Sequence, residues 1–329
     1  MALLPDKMTD FLKLKKPDVC KDSIAFENLD PTGRNKFGCH FYSLTDGFTP
    51  LEIQYNERTG NLIIKGSIPF FWQGHNFGFQ NSQLLEALEY CSEVLCTNLM
   101  DFEVESFEFG RMLAVATDPD YILKNHLALP KHEFVPFHTQ AGIIKGIQFS
   151  DPIRILKMYN PKFNPTFKKI PKEIKASISE FDPKGNFIRV ENHVKKAVRY
   201  LQIRNLSLDQ YCKDEFQTML KTDLMDTYNS IQRKATFVLP HGFEKPTVNQ
   251  LLYLILLEQN PNIRQEMEAK MKAMNLDPIT FKNRQSKIRN DLKQFEPIPD
   301  ERTNLMPLLQ ESFTDNSETT VNQCRTQTT

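Results

Sequence analysis

The sequence predicts an α+β fold: an antiparallel sheet with helices packed on one face, followed by a mostly helical C-terminal region. Three observations predict it. Strand-forming residues alternate with a two-residue period through the first two thirds of the chain. Short Gly-containing turns such as Arg58-Thr59-Gly60 join neighbouring runs. From Ser207 onward, apolar residues recur at three and four instead.

Composition fits a globular chain. Of 329 residues, 40% are hydrophobic and 25% charged, which excludes a largely disordered protein. Formal net charge is zero, but the charges are segregated. Residues 154–204 carry 13 Lys+Arg against 4 Asp+Glu, a net of +9, while residues 296–329 carry a net of −4. A basic block of that size favours a polyanionic partner. The six cysteines fit neither a zinc knuckle nor a CxxC redox pair and read as thiols of a reducing compartment. The most apolar run, Leu251 to Leu257, is too short to span a bilayer. A soluble, cytoplasmic chain without membrane association is expected.

The elements follow in order. Phe11-Leu12-Lys13-Leu14-Lys15 alternates as an edge strand, and Cys39 to Tyr42 opens another. Leu51 to Tyr55 and Asn61 to Ile68 form a hairpin around Gly60. Gln73-Gly74-His75-Asn76 is a loop. Ser82 to Met100 has helical spacing, with Ser82 as its cap. In the strand Phe102 to Gly110, alternation places Phe102, Val104, Ser106 and Glu108 on one face, and Glu103, Glu105, Phe107 and Phe109 on the other. Glu108 then needs a buried partner, and a cation is one candidate. A separate strand covers Met112 to Ala116, and a helix surrounds Tyr121 to Leu127. His126, His132 and His138 share no helical face and read as loop or surface residues. Ile153 to Tyr159 is a strand ended by Asn160-Pro161. Lys168 to Lys184 is basic and broken by proline. After residue 307 the tail is polar and expected to be disordered.

The strand Asn186 to Val194 carries the most chemistry. Arg189, Glu191 and His193 share one face with Phe187, while Ile188, Val190, Asn192 and Val194 take the other. A carboxylate and an imidazole two residues apart can grip one divalent cation. A half-exposed strand with a surface ion pair satisfies the same pattern.

Four pieces occur in a characteristic order: Gln73-Gly74-His75-Asn76, Ser106-Phe107-Glu108, Leu156-Lys157-Met158-Tyr159, and Ile188-Arg189-Val190-Glu191 followed by Val198-Arg199-Tyr200-Leu201. Over residues 50–215 the chain resembles the rolling-circle replication initiators of the filamentous-phage gene II type, together with related plasmid Rep proteins. The resemblance implies an HUH-endonuclease-like nuclease core, placed over residues 1–205; the helical spacing that follows marks 206–306 as a candidate DNA- or partner-binding region, ahead of the polar tail at 307–329. It implies metal-dependent nicking and rejoining of single-stranded origin DNA through a 5′-phosphotyrosine. Tyr159 then falls at the nucleophile, with Lys157 and Lys162 assisting. Glu108 and Glu191 fall at a Mg²⁺ or Mn²⁺ site, with His193 and His75 as further ligands or DNA contacts. Arg154, Arg189, Lys195, Lys196 and Arg199 become the DNA-binding set. Origin DNA, a host helicase and a host polymerase are the implied partners, in a bacterial cytoplasm. The alternative from the same residues is a DNA-binding initiator without strand-cutting chemistry.

Overall fold

A computed structural model of the chain describes residues 9–164 except 78, residues 185–238 and 296–313, and isolated positions between them. Its fourteen described strands are β1 (Thr9–Lys16), β2 (Asp30–Arg34), β3 (Cys39–Leu44), β4 (Leu51–Asn56), β5 (Asn61–Ser67), β6 (Glu103–Val115), β7 (His126–Ala128), β8 (Glu133–His138), β9 (Ile144–Ser150), β10 (Arg154–Tyr159), β11 (Asn186–Val194), β12 (Gln232–Arg233), β13 (Ala235–Val238) and β14 (Glu296–Pro299). The described helices are α1 (Ile68–Gln73), α2 (Asn81–Leu95), α3 (Pro119–Lys124), α4 (Ala197–Leu201), α5 (Leu208–Tyr211), α6 (Asp214–Asn229) and α7 (Met306–Phe313).

Ten strands form one sheet in the order β2-β3-β4-β5-β1-β6-β11-β10-β9-β8. Every neighbouring pair in it is antiparallel. The hairpin of β4 and β5 turns at Gly60, whose φ of +61° suits glycine. β1 is not an edge strand. It lies between β5 and β6, with Leu12 and Leu14 buried. Pairing on both sides satisfies its backbone groups, and the lysines that suggest an edge instead lie along an open face, where Lys13 and Lys15 pair with Glu105.

One face of the sheet is covered by helices. Leu12, Phe107, Phe109, Val190, Val194, Leu156 and Met158 join side chains from α2, α5, α6 and α7 in a single apolar cluster. Each fully buried side chain of this size contributes about 1.5–3 kcal/mol of hydrophobic stabilisation. Helix α2 begins one residue before Ser82, and Gln80 with Gln83 forms its capping box. Ser207 caps α5 as expected, in a second capping box with Gln210. Helix α7 packs on α6 and β6 and buries Leu309, so residues 307–313 are part of the helical layer rather than a disordered tail. The expected helices between 247 and 295, the basic stretch 173–184 and residues 314–329 lie, apart from isolated positions, outside the described residues.

β6 is one long strand that absorbs the separate strand expected at Met112 to Ala116, and its alternation is broken. Between Lys13 and Leu14 the pairing slips from Ser106 to Val104, a β-bulge that gives Glu105 and Ser106 the same facing. Val104, Phe107 and Phe109 therefore all reach the core. Glu108 and Gly110 face away from it, on the opposite side from Val104. No Gly or Pro marks the bulge in the sequence.

Candidate functional site

The open face gathers its charged residues through strand register. Lys157 on β10 lies opposite Glu191 on β11, and Tyr159 opposite Arg189. On the other side of β11, Glu191 lies opposite Gly110 and His193 opposite Glu108. Directly opposed side chains share a face and stand within reach of each other. Gly110 makes the close approach possible. A Cβ there would lie 2.3 Å from the Val190 carbonyl oxygen and 2.6 Å from Glu191 Cα.

Asp10 completes the group. The pairing of β1 with β6 slips between Thr9 and Leu12, which releases Asp10 from strict alternation. Its Oδ2 accepts from Arg189 Nη2 at 2.7 Å and from Asn76 Nδ2 at 3.1 Å, and its Oδ1 accepts from Ser67 Oγ at 2.6 Å. One oxygen from each of Asp10, Glu108 and Glu191 lies within 4.8 Å of the others, an arrangement that could hold a metal ion. The residues fit a hard divalent cation. All three donors are carboxylates, the oxygen ligands that such an ion takes, and among the described residues Lys157 and Arg189 bridge them.

Those two cations organise the cluster. Arg189, almost wholly buried, donates from Nε to Glu191 Oε2 at 2.6 Å. Lys157 Nζ donates to Glu108 Oε1 at 2.8 Å and to Glu191 Oε1 at 3.2 Å. Burial works against the charge on Lys157, but Glu191 and Glu108 outweigh it and raise its pKa. Burial likewise opposes ionisation of Glu108, yet His193 and Lys157 hold its carboxyl below the usual range. His193 Nδ1 lies 2.5 Å from Glu108 Oε1.

Tyr159 donates its hydroxyl to Glu191 Oε2 at 3.1 Å. Burial, and then the negative charge of Glu191, push its pKa well above the ordinary phenol value. Lys157, expected to assist Tyr159, points its Nζ to Glu108 and Glu191. The Lys157 ammonium is committed to two carboxylates, and Tyr159 is held as a phenol beside a proton acceptor.

Several expected residues lie elsewhere. Lys162 Nζ donates to the Gly185 carbonyl at 2.6 Å and joins none of the carboxylates. His75 Nδ1 receives the Phe77 N–H at 3.2 Å and lies 3.2 Å from Gln73 Nε2, while its neighbour Asn76 is the residue that reaches Asp10. Arg189 is enclosed, so it positions Asp10 and Glu191 and cannot meet a DNA backbone. Arg154 lies toward the helical side, where it donates to Thr227 Oγ1 at 3.0 Å and covers the ring of Tyr200. Lys195 Nζ donates to the Asp151 carbonyl at 2.7 Å. Lys196 and Arg199 are exposed.

Asp10 is the residue that sequence reasoning missed. It precedes an alternating run, but only the central placement of β1 brings it to Arg189, 179 positions away. His126 also departs from expectation. It is fully buried between the Ile122 carbonyl and the Tyr228 hydroxyl, and burial lowers its pKa to about 4. Among the described residues, no helix is long and apolar enough to cross a membrane. No family model matches the chain, and no curated protein matches it in sequence.

Proposed function

We propose that the chain is a rolling-circle replication initiator that nicks and rejoins single-stranded origin DNA through Tyr159, with an HUH-like nuclease core. The observation that carries this reading is the Tyr159 hydrogen bond to Glu191, a carboxylate that also belongs to the acidic cluster. Nucleophile, proton acceptor and metal ligands are thereby coupled through one side chain. The order of motifs that resembles the gene II type of initiator supports the same assignment.

In this reading Asp10, Glu108 and Glu191 hold Mg²⁺ or Mn²⁺, with His193 beside them. The bound ion supplies charge stabilisation at the phosphate. Tyr159 Oη attacks phosphorus as its proton passes to Glu191, and the bond from phosphorus to O3′ breaks. The leaving O3′ takes a proton from solvent, and the 5′-phosphate stays on Tyr159. Reversal rejoins the strand without ATP, because one phosphoester replaces another. Lys157 and Arg189 hold Glu191 in place on opposite sides.

One feature favours the second reading, a DNA-binding initiator without chemistry. Arg189 and Lys157 already pair with all three carboxylates, as in a structural ion-pair cluster. Incubating the protein with a supercoiled plasmid carrying its cognate origin, in Mg²⁺ or Mn²⁺ and in EDTA, separates the two. The nuclease reading expects a metal-dependent nicked circle with protein attached. It also expects Tyr159→Phe to bind the DNA and form no adduct. Intact plasmid under every metal condition, or an adduct mapped to another tyrosine, overturns it.

A further inference from the structure

Beside Tyr159 the open face sinks into a cleft of about 400 Å³, lined also by Phe137, Phe163, Lys145, Gln148 and Asn160. That volume is within the roughly 300–1,000 Å³ range of small-molecule sites. Gly146 keeps its floor low, since a Cβ there would lie 2.8 Å from Tyr159 Cβ.

The lining combines three chemistries. Phe137, on the sheet-edge strand β8, is 44% exposed, and Phe163 is half-buried in the turn after β10. Two aromatic rings left open to solvent are surfaces on which a flat ring can stack. Lys145 forms no ion pair, and the Gln148 amide no hydrogen bond, with another described residue. Asn160 commits its carbonyl oxygen to the Lys162 N–H at 3.0 Å, which leaves its NH₂ as a donor. Stacking faces, uncommitted amides and an uncommitted ammonium together suit a base, its polar edge and its phosphate.

We propose that this cleft is a nucleoside pocket. It takes the unpaired base beside the phosphate presented to Tyr159, stacked against Phe163 and Phe137. Gln148 and Asn160 meet the base edge, and Lys145 meets the adjoining phosphate. The inference rests on the reading of Tyr159 as the nucleophile, but its test needs no cleavage.

The test uses the full chain in EDTA and a single-stranded oligothymidylate carrying one central 2-aminopurine, whose fluorescence falls on stacking. The wild type should quench it on binding. Phe163→Leu and Phe137→Leu should each restore much of the fluorescence and weaken binding about tenfold, the scale of one lost stacking contact. An oligomer with an abasic site in place of the 2-aminopurine should bind the wild type with the same loss. If Phe163→Leu proves unfolded by circular dichroism, Phe137→Leu on the exposed edge gives the same readout. Equal binding of the abasic oligomer, or full quenching by the folded variants, overturns the pocket. Quenching without metal-dependent nicking would keep the pocket and remove the nuclease reading, and nicking without quenching would do the reverse.

Discussion

Arg189 and Glu191 stand two residues apart on β11, and the guanidinium of the first donates to the carboxylate of the second over 2.6 Å while also holding Asp10. Two buried carboxylates thus depend on one buried cation. Replacing Arg189 by Met keeps much of the volume and removes the one cation that both acids share, while Lys157 still reaches Glu191 and Asn76 and Ser67 still reach Asp10. Breaking such a pair typically costs about 3–5 kcal/mol. Urea denaturation of Arg189→Met should show a loss of that size, and an unchanged midpoint would show that the pairing carries no stability.

Asp10 should be as necessary to metal binding as Glu191. Asp10→Asn keeps an oxygen for Arg189 but removes the charge that a hard cation requires. Titration with Mn²⁺ followed by electron paramagnetic resonance should give a bound ion in the wild type and none in Asp10→Asn. Glu105→Gln is the control, because Glu105 lies on the same face and pairs only with Lys13 and Lys15 among the described residues. Retained binding in Asp10→Asn would remove Asp10 from the site.

His126 gives the fold an acid sensitivity of known sign. Its folded-state pKa, about 4, lies below the unfolded value of 6.5. The unfolded chain therefore binds the proton first. The contribution is full above pH 6.5 and is lost as pH falls toward 4, amounting to about 3 kcal/mol. The lowered carboxylate Glu108 contributes in the same direction, but only once pH falls through the carboxylate range. Stability measured between pH 6.5 and 4.5 should fall in the wild type and flatten in His126→Gln. Parallel profiles would refute the assignment.

Salt dependence should sort the basic residues. Lys196 and Arg199 are exposed, whereas Arg154 is turned toward Thr227 and Tyr200. Each phosphate contact on a single strand contributes about 0.7 to the log–log salt slope. Lys196→Ala and Arg199→Ala should each flatten the slope by about that amount, and Arg154→Ala should leave it unchanged. Fluorescence anisotropy with a labelled single strand measures all three.

The parts of this site that were legible in the sequence are those fixed by neighbours along the chain. Alternation alone placed Arg189, Glu191 and His193 on one face of β11. Residues fixed by distant partners were not legible. Asp10 depends on a strand pairing between the start of the chain and β6, and the burial of His126 depends on Tyr228, 102 positions away. The facing of Glu108 was hidden for another reason: the bulge at Glu105 and Ser106 adds one residue to the alternation and turns over everything after it.

The place of β11 in the sheet sets an order of assembly. It lies between β6 and β10, both of which leave the ribosome before it. Until residue 186 is made, the nascent sheet can exist only as two unjoined halves: six strands ending at β6, and three ending at β10. The first half holds Asp10 and Glu108, like charges without Arg189; the second holds Lys157 and Tyr159. β11 closes the seam by pairing on both sides at once and brings Glu191 and Arg189 with it. Such late, long-range closure is slow compared with local pairing. A prematurely released product ending before β11 therefore has the tyrosine and two of the three carboxylates but neither Glu191 nor Arg189, so synthesis itself keeps the site incomplete until the seam is filled.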